Sequence, residues 1–300
     1  MIPMKGENIM LVSVGIDKKI PSRSYWRLIW GSLLKNKGAV AGLIFLVLII
    51  GMTVFAPILA THPVETMFFE NRFEKPSSVH LFGTDEFGRD IFSRLLIGGQ
   101  ISLMTGLLSV AIAGSIGTVL GLIAGYFRRL DLIITQFVDI LLAFPALLLA
   151  IAIIAVLGVG LPNAMIAVAI AIIPSYVRVV RGAVLSIKEK EYVEAARALG
   201  VRDAKIISKH IFPNILSPVI VLSTLQIGNS ILIAAELSFL GLGAQPPSPE
   251  WGAMIFVGRS FLANAWWMSL FPGLAIIITV LAFNLLGDGL RDALDPRVKK

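Results

Sequence analysis

Six long apolar runs dominate this chain, near residues 39–60, 101–125, 134–158, 162–182, 215–240 and 269–288. A bilayer-spanning helix needs about 20 mostly apolar residues, and these runs reach that length with few internal charges. They are continuous and do not alternate polar with apolar, so they read as helices and not as barrel strands. Composition agrees, with 56% hydrophobic and 15% charged residues and a mean hydropathy of +0.85. Such a chain needs lipid as solvent, and it reads as an all-α polytopic membrane protein with six transmembrane helices. It contains no cysteine, which removes disulfides, thiolate zinc sites and cysteine nucleophiles together.

Basic residues set the orientation. Of the 26 Lys and Arg, 21 lie in the N-terminal tail, at 128–129, in 178–209 and in the C-terminal tail. Only Arg72, Lys75, Arg89, Arg94 and Arg259 lie on the opposite side. Both termini are therefore expected in the cytoplasm, and the net charge of +7 is a topology signal and not a nucleic-acid patch. The first span is too long for a signal-peptide core, so it reads as an uncleaved anchor. Ahead of it, Trp26, Ile29, Trp30, Leu33 and Leu34 recur at helical spacing, a basic amphipathic helix for the lipid interface. The chain divides into a cytoplasmic tail (1–38), a first span (39–60), an external segment (61–98), a core (99–289) and a second tail (290–300).

Two external segments are polar enough to meet a partner. Residues 80–90 hold His80, Asp85, Glu86, Arg89 and Asp90, but the acids lack calcium-loop spacing and one His makes no zinc site. No metal site is expected. Residues 245–252 form a Pro-rich loop with an expected exposed Trp. Asp85, Arg89, Asp90, Pro247 and Trp251 are candidates for contact with an external protein; a purely structural turn is the other reading. Leu96-Ile97-Gly98-Gly99-Gln100 imitates an ATPase signature, but it starts a span and no phosphate-binding loop accompanies it. ATP hydrolysis is not expected of this chain.

The long interior loop, 183–214, is patterned. Tyr192, Ala195, Ala196 and Leu199 fall on one small-apolar face, with Glu191, Glu194 and Arg197 off it. Gly200 suits a left-handed helix stop. Asp203 suits the N-cap of a second helix, expected to run from 204 to 211 and to halt before Pro213. Helix, Gly turn and helix together make a knob suited to another protein's groove.

Glu194-Ala195-Ala196, Gly200 and the stretch ending in Pro213 resemble the EAA motif of ABC importer permeases. Lys209-His210-Ile211-Phe212-Pro213-Asn214 is similar to the dipeptide/oligopeptide branch of that family, where the general pattern has Ile and Leu in place of His210 and Phe212. So are 82–90, Asp139 with Phe144-Pro145, 237–243 with the Pro-rich loop, and 284–292 with Asp295-Pro296. The resemblance covers about residues 25–298. It implies a type I ABC importer permease fold and a coupling helix in which Tyr192, Glu194, Ala195, Ala196, Arg197, Gly200, His210 and Pro213 meet an ATPase. It also implies a second homologous permease, two ABC ATPase subunits carrying ATP and Mg, and an external substrate-binding protein. No cofactor is expected on this chain itself. Cargo implied by the branch is dipeptides and oligopeptides, with nickel chelates, glutathione or oligosaccharides as alternatives.

Charged groups inside a membrane are costly and mark sites or helix contacts. Asp139 and Arg178 fall at similar depths in adjacent spans and are expected to pair. Glu236, near the outer end of the fifth span, either faces the pathway or is a satisfied structural acid. A secondary transporter or channel is the rival class; it should show inverted repeats and paired midplane ions, and neither is evident. An intramembrane enzyme is a further rival, but His62, His80 and His210 all lie outside the spans.

Overall fold

A computed structural model describes residues 30–294. Its helices are α1 (Lys37–Val54), α2 (Ala56–Leu59), α3 (Ile91–Tyr126), α4 (Arg128–Leu142), α5 (Ala146–Leu157) and α6 (Leu161–Lys188). The short α7 (Glu191–Ala198) and α8 (Asp203–Ile206) follow, then α9 (Phe212–Phe239), α10 (Trp251–Gly258) and α11 (Trp267–Leu294). α1, α3, α6, α11 and the unbroken Asp203–Phe239 run are each long and apolar enough to cross a membrane. The expected span at 134–158 is not one straight helix: α4 and α5 meet at a 96° bend. Pro145 lacks an N–H and steers Phe144 away from helical angles, so the ladder stops at Leu142.

Several helices also outrun the apolar runs that signalled them, whereas α1 ends early, at Val54, against an expected end at residue 60. α3 begins ten residues before its run, because Asp90 caps it, accepting from the Ser93 N–H at 2.8 Å and the Ser93 hydroxyl at 2.7 Å. Asn36 caps α1 through the Ala39 N–H at 3.2 Å and donates to Asp292 of α11 at 3.1 Å. Of the expected interfacial segment, Leu33 is buried against Ala39 and Ala293 and not lipid-facing, while Trp30 and Leu34 are exposed. Trp26, Arg27 and Ile29, and the 295–300 tail, lie outside the described residues.

The core seam runs between α3 and α6. Gly117, Gly121 and Gly125 sit one turn apart on α3, against Tyr176, Val180 and Val184 of α6. A Cβ on Gly117 would lie 2.4 Å from that of Tyr176, and one on Gly121 would lie 2.7 Å from that of Val180. Lipid tails are as apolar as leucine, so helices here gain by close packing, which small residues permit. Val180 and Val184 continue into a cluster with Val193, Ala196, Ile206, Ile211 and Ile215, at the end of the molecule where α7 and α8 lie.

Gly121→Val should wedge this seam apart at a cost of about 1–3 kcal/mol. The expected readout is a lower thermal midpoint and yield of the detergent-solubilised protein; an unchanged midpoint would contradict the packing argument.

Candidate functional site

α7 and α8 form a knob whose geometry follows from its residues. α7 ends in a full Schellman motif: the Val201 N–H reaches the Ala196 carbonyl at 3.1 Å and the Gly200 N–H reaches that of Arg197 at 3.0 Å. Gly200 takes φ +73°, the left-handed conformation the turn requires. The faces of α7 differ from expectation. Val193 and Ala196 point into the chain's own core, whereas Tyr192, Glu194, Ala195 and Arg197 are exposed and Leu199 is 84% exposed. Ala196 therefore belongs to the anchoring face and not to the outward one, because the valines of α6 supply its apolar partner.

Asp203 is the first residue of α8 and not its cap, which is Arg202. Its carboxylate instead accepts a short hydrogen bond from the Tyr126 hydroxyl at the end of α3. The Arg197 guanidinium stacks 5.8 Å from the Tyr126 ring centre, and Lys188 donates to the Gly125 carbonyl at 2.8 Å. The last turn of α3 thus holds the knob at Arg197 and Asp203, and the end of α6 at Lys188. The helix does not halt before Pro213 either. A π turn over Ile207–Ile211 lets the Phe212 N–H reach back to the Ile207 carbonyl, which absorbs the missing proline N–H and carries the chain into α9. Asn214 donates to the His210 carbonyl at 2.7 Å and lies 3.5 Å from the Tyr192 hydroxyl. Pro213 is exposed and His210 half-buried, with its ring 6.1 Å from that of Tyr192.

Within the bundle, Arg178 donates to Asp139 at 3.1 Å, so α4 and α6 bring these two together. The pair is exposed on the isolated chain, at 62% and 58%, and the bend after α4 removes any depth inferred by counting straight helix from Arg129. A second link, unread in the sequence, clamps the same helices: Arg181 meets Asp131 with both guanidinium arms, one at 2.8 Å. Glu236 is half-buried with no hydrogen-bonding or ionic partner among the described residues. Gln226 and Asn229, on the same helix, bond to each other at 3.1 Å with Asn229 exposed.

At the opposite end the external candidates fare differently. Asp85, Arg89 and Asp90 are buried. Asp85 accepts from the Phe87 and Arg89 N–H groups and from the Arg89 guanidinium at 2.7 Å, with Arg94 3.7 Å away. Beside it, burial and then the Asp85 charge push the Glu86 carboxyl above its ordinary range. Trp251 is 2% exposed and not a docking side chain; it donates to the Leu95 carbonyl at 2.9 Å. It packs on Gly98 and Gly99, where a Cβ would collide with Pro249, Thr53 or Trp251 itself. Those glycines, which imitated an ATPase signature, are packing residues. Pro247 alone of the five is exposed, and its carbonyl accepts from Arg94 at 3.0 Å. His80, expected to be a lone histidine, lies with its ring centre 4.5 Å from that of His62.

Comparison with known proteins decides the family. A family profile described as "Binding-protein-dependent transport system inner membrane component" matches residues 117–300, and one for the "N-terminal TM domain of oligopeptide transport permease C" matches 24–76. The chain belongs to the binding-protein-dependent transport permeases. It is 50% identical to the dipeptide transport system permease protein DppC of Alkalihalophilus pseudofirmus, over 92% of this chain and 91% of that one. It is 48% identical to the glutathione transport system permease protein GsiD of Pectobacterium atrosepticum, over 97% of each. Among solved structures, an inward-facing MetNI methionine ABC transporter chain superimposes with TM-score 0.57 at 19% identity, covering 68% of this chain and 98% of that one. The fold is that of a type I ABC importer permease, and this permease is a multi-pass membrane subunit of such an importer, working with ATPase and substrate-binding partners.

Asp85→Ala tests whether the buried carboxylate holds the loop together. It leaves Arg89 and Arg94 without their shared partner, at an expected cost of about 3–5 kcal/mol. Limited proteolysis should then cut within 65–90; a protease-resistant, full-yield variant would contradict the structural role.

Proposed function

We propose that this permease and a second, homologous one enclose the pathway of an ATP-driven importer of di- and oligopeptides. Two ABC ATPase subunits, holding ATP and Mg, dock at the Gly200 end, and an external substrate-binding protein docks at the Asp90 end. ATP and Mg are bound by those ATPase subunits and not by this chain. The Gly200 end and both termini face the cytoplasm, a reading supported by the 21 basic residues assigned to that side against five on the other. The cargo reading is supported by relatives named for dipeptides and for glutathione, itself a small peptide.

The observation that carries the coupling role is the knob: an outward Leu199, Tyr192 and Glu194 on a helix whose other face is locked to α3 and α6. A partner that moves the knob moves the α3–α6 seam with it. ATP can bias the bundle only through contacts that differ between its two states, and these are the residues placed to make them. A second permease is supported by the polar groups the isolated chain leaves uncovered. Asp139–Arg178 and Asn229 would otherwise meet lipid, where such groups are expensive. Glu236, unpartnered on the Asn229 helix, faces the pathway and attracts the peptide amino terminus.

Glu194→Lys should leave the complex assembled but lower transport per ATP by about tenfold, the ordinary range of a coupling free energy. Gly200 gives a matched pair. Ala and Trp suffer a similar backbone penalty at φ +73°, about 1 kcal/mol, and among the described residues nothing beyond the adjacent ones lies within 4 Å of a Cβ there. Uncoupling by Gly200→Trp well beyond that by Gly200→Ala is the expected signature of a docked partner. Equal behaviour of the two, or full transport by Glu194→Lys, would overturn the assignment. Glu236→Gln should slow uptake of peptides with a free amino terminus more than of N-acetylated ones; equal effects would remove its pathway role.

A further inference from the structure

The fold gathers three side chains that the sequence keeps apart. His62 follows α2, His80 sits in the loop and Asp90 caps α3, yet their ligand-type atoms all lie within 4.8 Å of one another. The loop backbone fixes His80: its N–H donates to the Ser77 hydroxyl at 3.1 Å, and its carbonyl accepts from Ser77 and Gly83. Asp90 divides its two oxygens. Oδ2 is committed to Ser93 and to the cap, whereas Oδ1 faces both imidazoles, with Nδ1 of His80 at 3.0 Å and Nδ1 of His62 at 3.8 Å. The hydroxyl of Thr61 stands 3.0 Å from the same His62 nitrogen and 3.5 Å from Oδ2.

The geometry points to a site for a divalent transition-metal ion, zinc first among them, held by His62 Nδ1, His80 Nδ1 and Asp90 Oδ1. Ligand bonds of about 2.0–2.1 Å in a tetrahedron set ligand atoms about 3.3 Å apart. The two observed separations from Oδ1 bracket that value, and the three residues' ligand-type atoms all lie within 4.8 Å of one another, so binding closes the imidazoles in by at most about 1.5 Å. Two imidazoles and one carboxylate make a borderline donor set, suited to Zn²⁺, Ni²⁺ or Cu²⁺ and poor for Ca²⁺ or Mg²⁺. Nε2 of His80, the nitrogen turned away from the ion, lies 3.9 Å from the Glu74 carboxylate, near enough to pair after a small side-chain rotation but beyond hydrogen-bond reach as it stands. A carboxylate behind a ligating histidine fixes the tautomer that presents the other nitrogen. His80 and Asp90 are buried and His62 is 27% exposed, so the fourth position opens to solvent through His62. Bound metal would tie the end of α2 and the 65–90 loop to the first turn of α3. It is not transport cargo, because two of its three ligands are buried in the loop that closes this end.

The test uses the complete transporter complex, stripped with EDTA, re-equilibrated with zinc and freed of excess. Asp90 is left alone because it caps α3; His62→Ala carries the experiment, since that side chain is partly exposed and caps no helix. Wild type should retain one more zinc per permease chain than His62→Ala, which cancels metal held by partner subunits. Cobalt in place of zinc should give the visible absorption of a tetrahedral site in wild type and lose it in His62→Ala and His80→Gln. Equal zinc content in wild type and His62→Ala, or no tetrahedral cobalt signature in wild type, overturns the proposal. Both readouts are independent of transport, so they stand apart from the coupling assignment above.

Discussion

The rest of the structure hangs on the close approach of α3 to α6. In water a helix pair gains by hiding apolar surface, but in lipid that gain is nearly absent and van der Waals contact has to supply it. Gly117, Gly121 and Gly125 bring the α3 backbone onto the side chains of Tyr176, Val180 and Val184. The two helices then act as one strut, with Asp90 and the loop network at one end and Gly125 and Tyr126 at the other. α6, tied to α3 at its end by Lys188, leads into the knob, and Arg197 and Asp203 bind that knob back to α3. A displacement at Leu199 is therefore transmitted through packed and hydrogen-bonded contacts and not through a loose loop.

The isolated chain is visibly incomplete. α4 presents Leu132, Ile133 and Phe137 beside an exposed Asp139–Arg178 pair, and α9 presents Asn229. Apolar surface alone is ordinary for a membrane helix. Polar groups exposed among it require protein or water opposite, which the second permease proposed above would supply.

Much of this was legible in the residues. Apolar run length located five of the six spans, and the Gly200 stop, the knob and the Asp139–Arg178 contact agree with the reading of spacing and charge. The departures share a physical origin: they depend on what a side chain meets across the fold. Pro145 was visible as a punctuation mark, but whether neighbours would satisfy a kink or the chain would turn by 96° is a tertiary matter. Trp251 read as exposed because its loop is Pro-rich; its burial depends on Gly98 and Gly99, some 150 residues away. Ala196 read as outward because the motif is small and apolar, and only the valines of α6 decide which face is used. His80 read as solitary because His62 lies beyond ordinary ligand spacing.

The central claim is that the α7–Gly200–α8 knob touches an ATPase, and the sequence makes this directly measurable. The natural chain has no cysteine, so Leu199→Cys places one reactive thiol at a knob position that is 84% exposed. Labelled with a maleimide photo-crosslinker and irradiated in the assembled transporter, it should join the permease to an ATPase subunit, with a yield that changes when ATP is added. Val79→Cys, also exposed but at the opposite end, should give no such product. No ATPase adduct from Leu199→Cys, or the same adduct from both positions, would contradict the account.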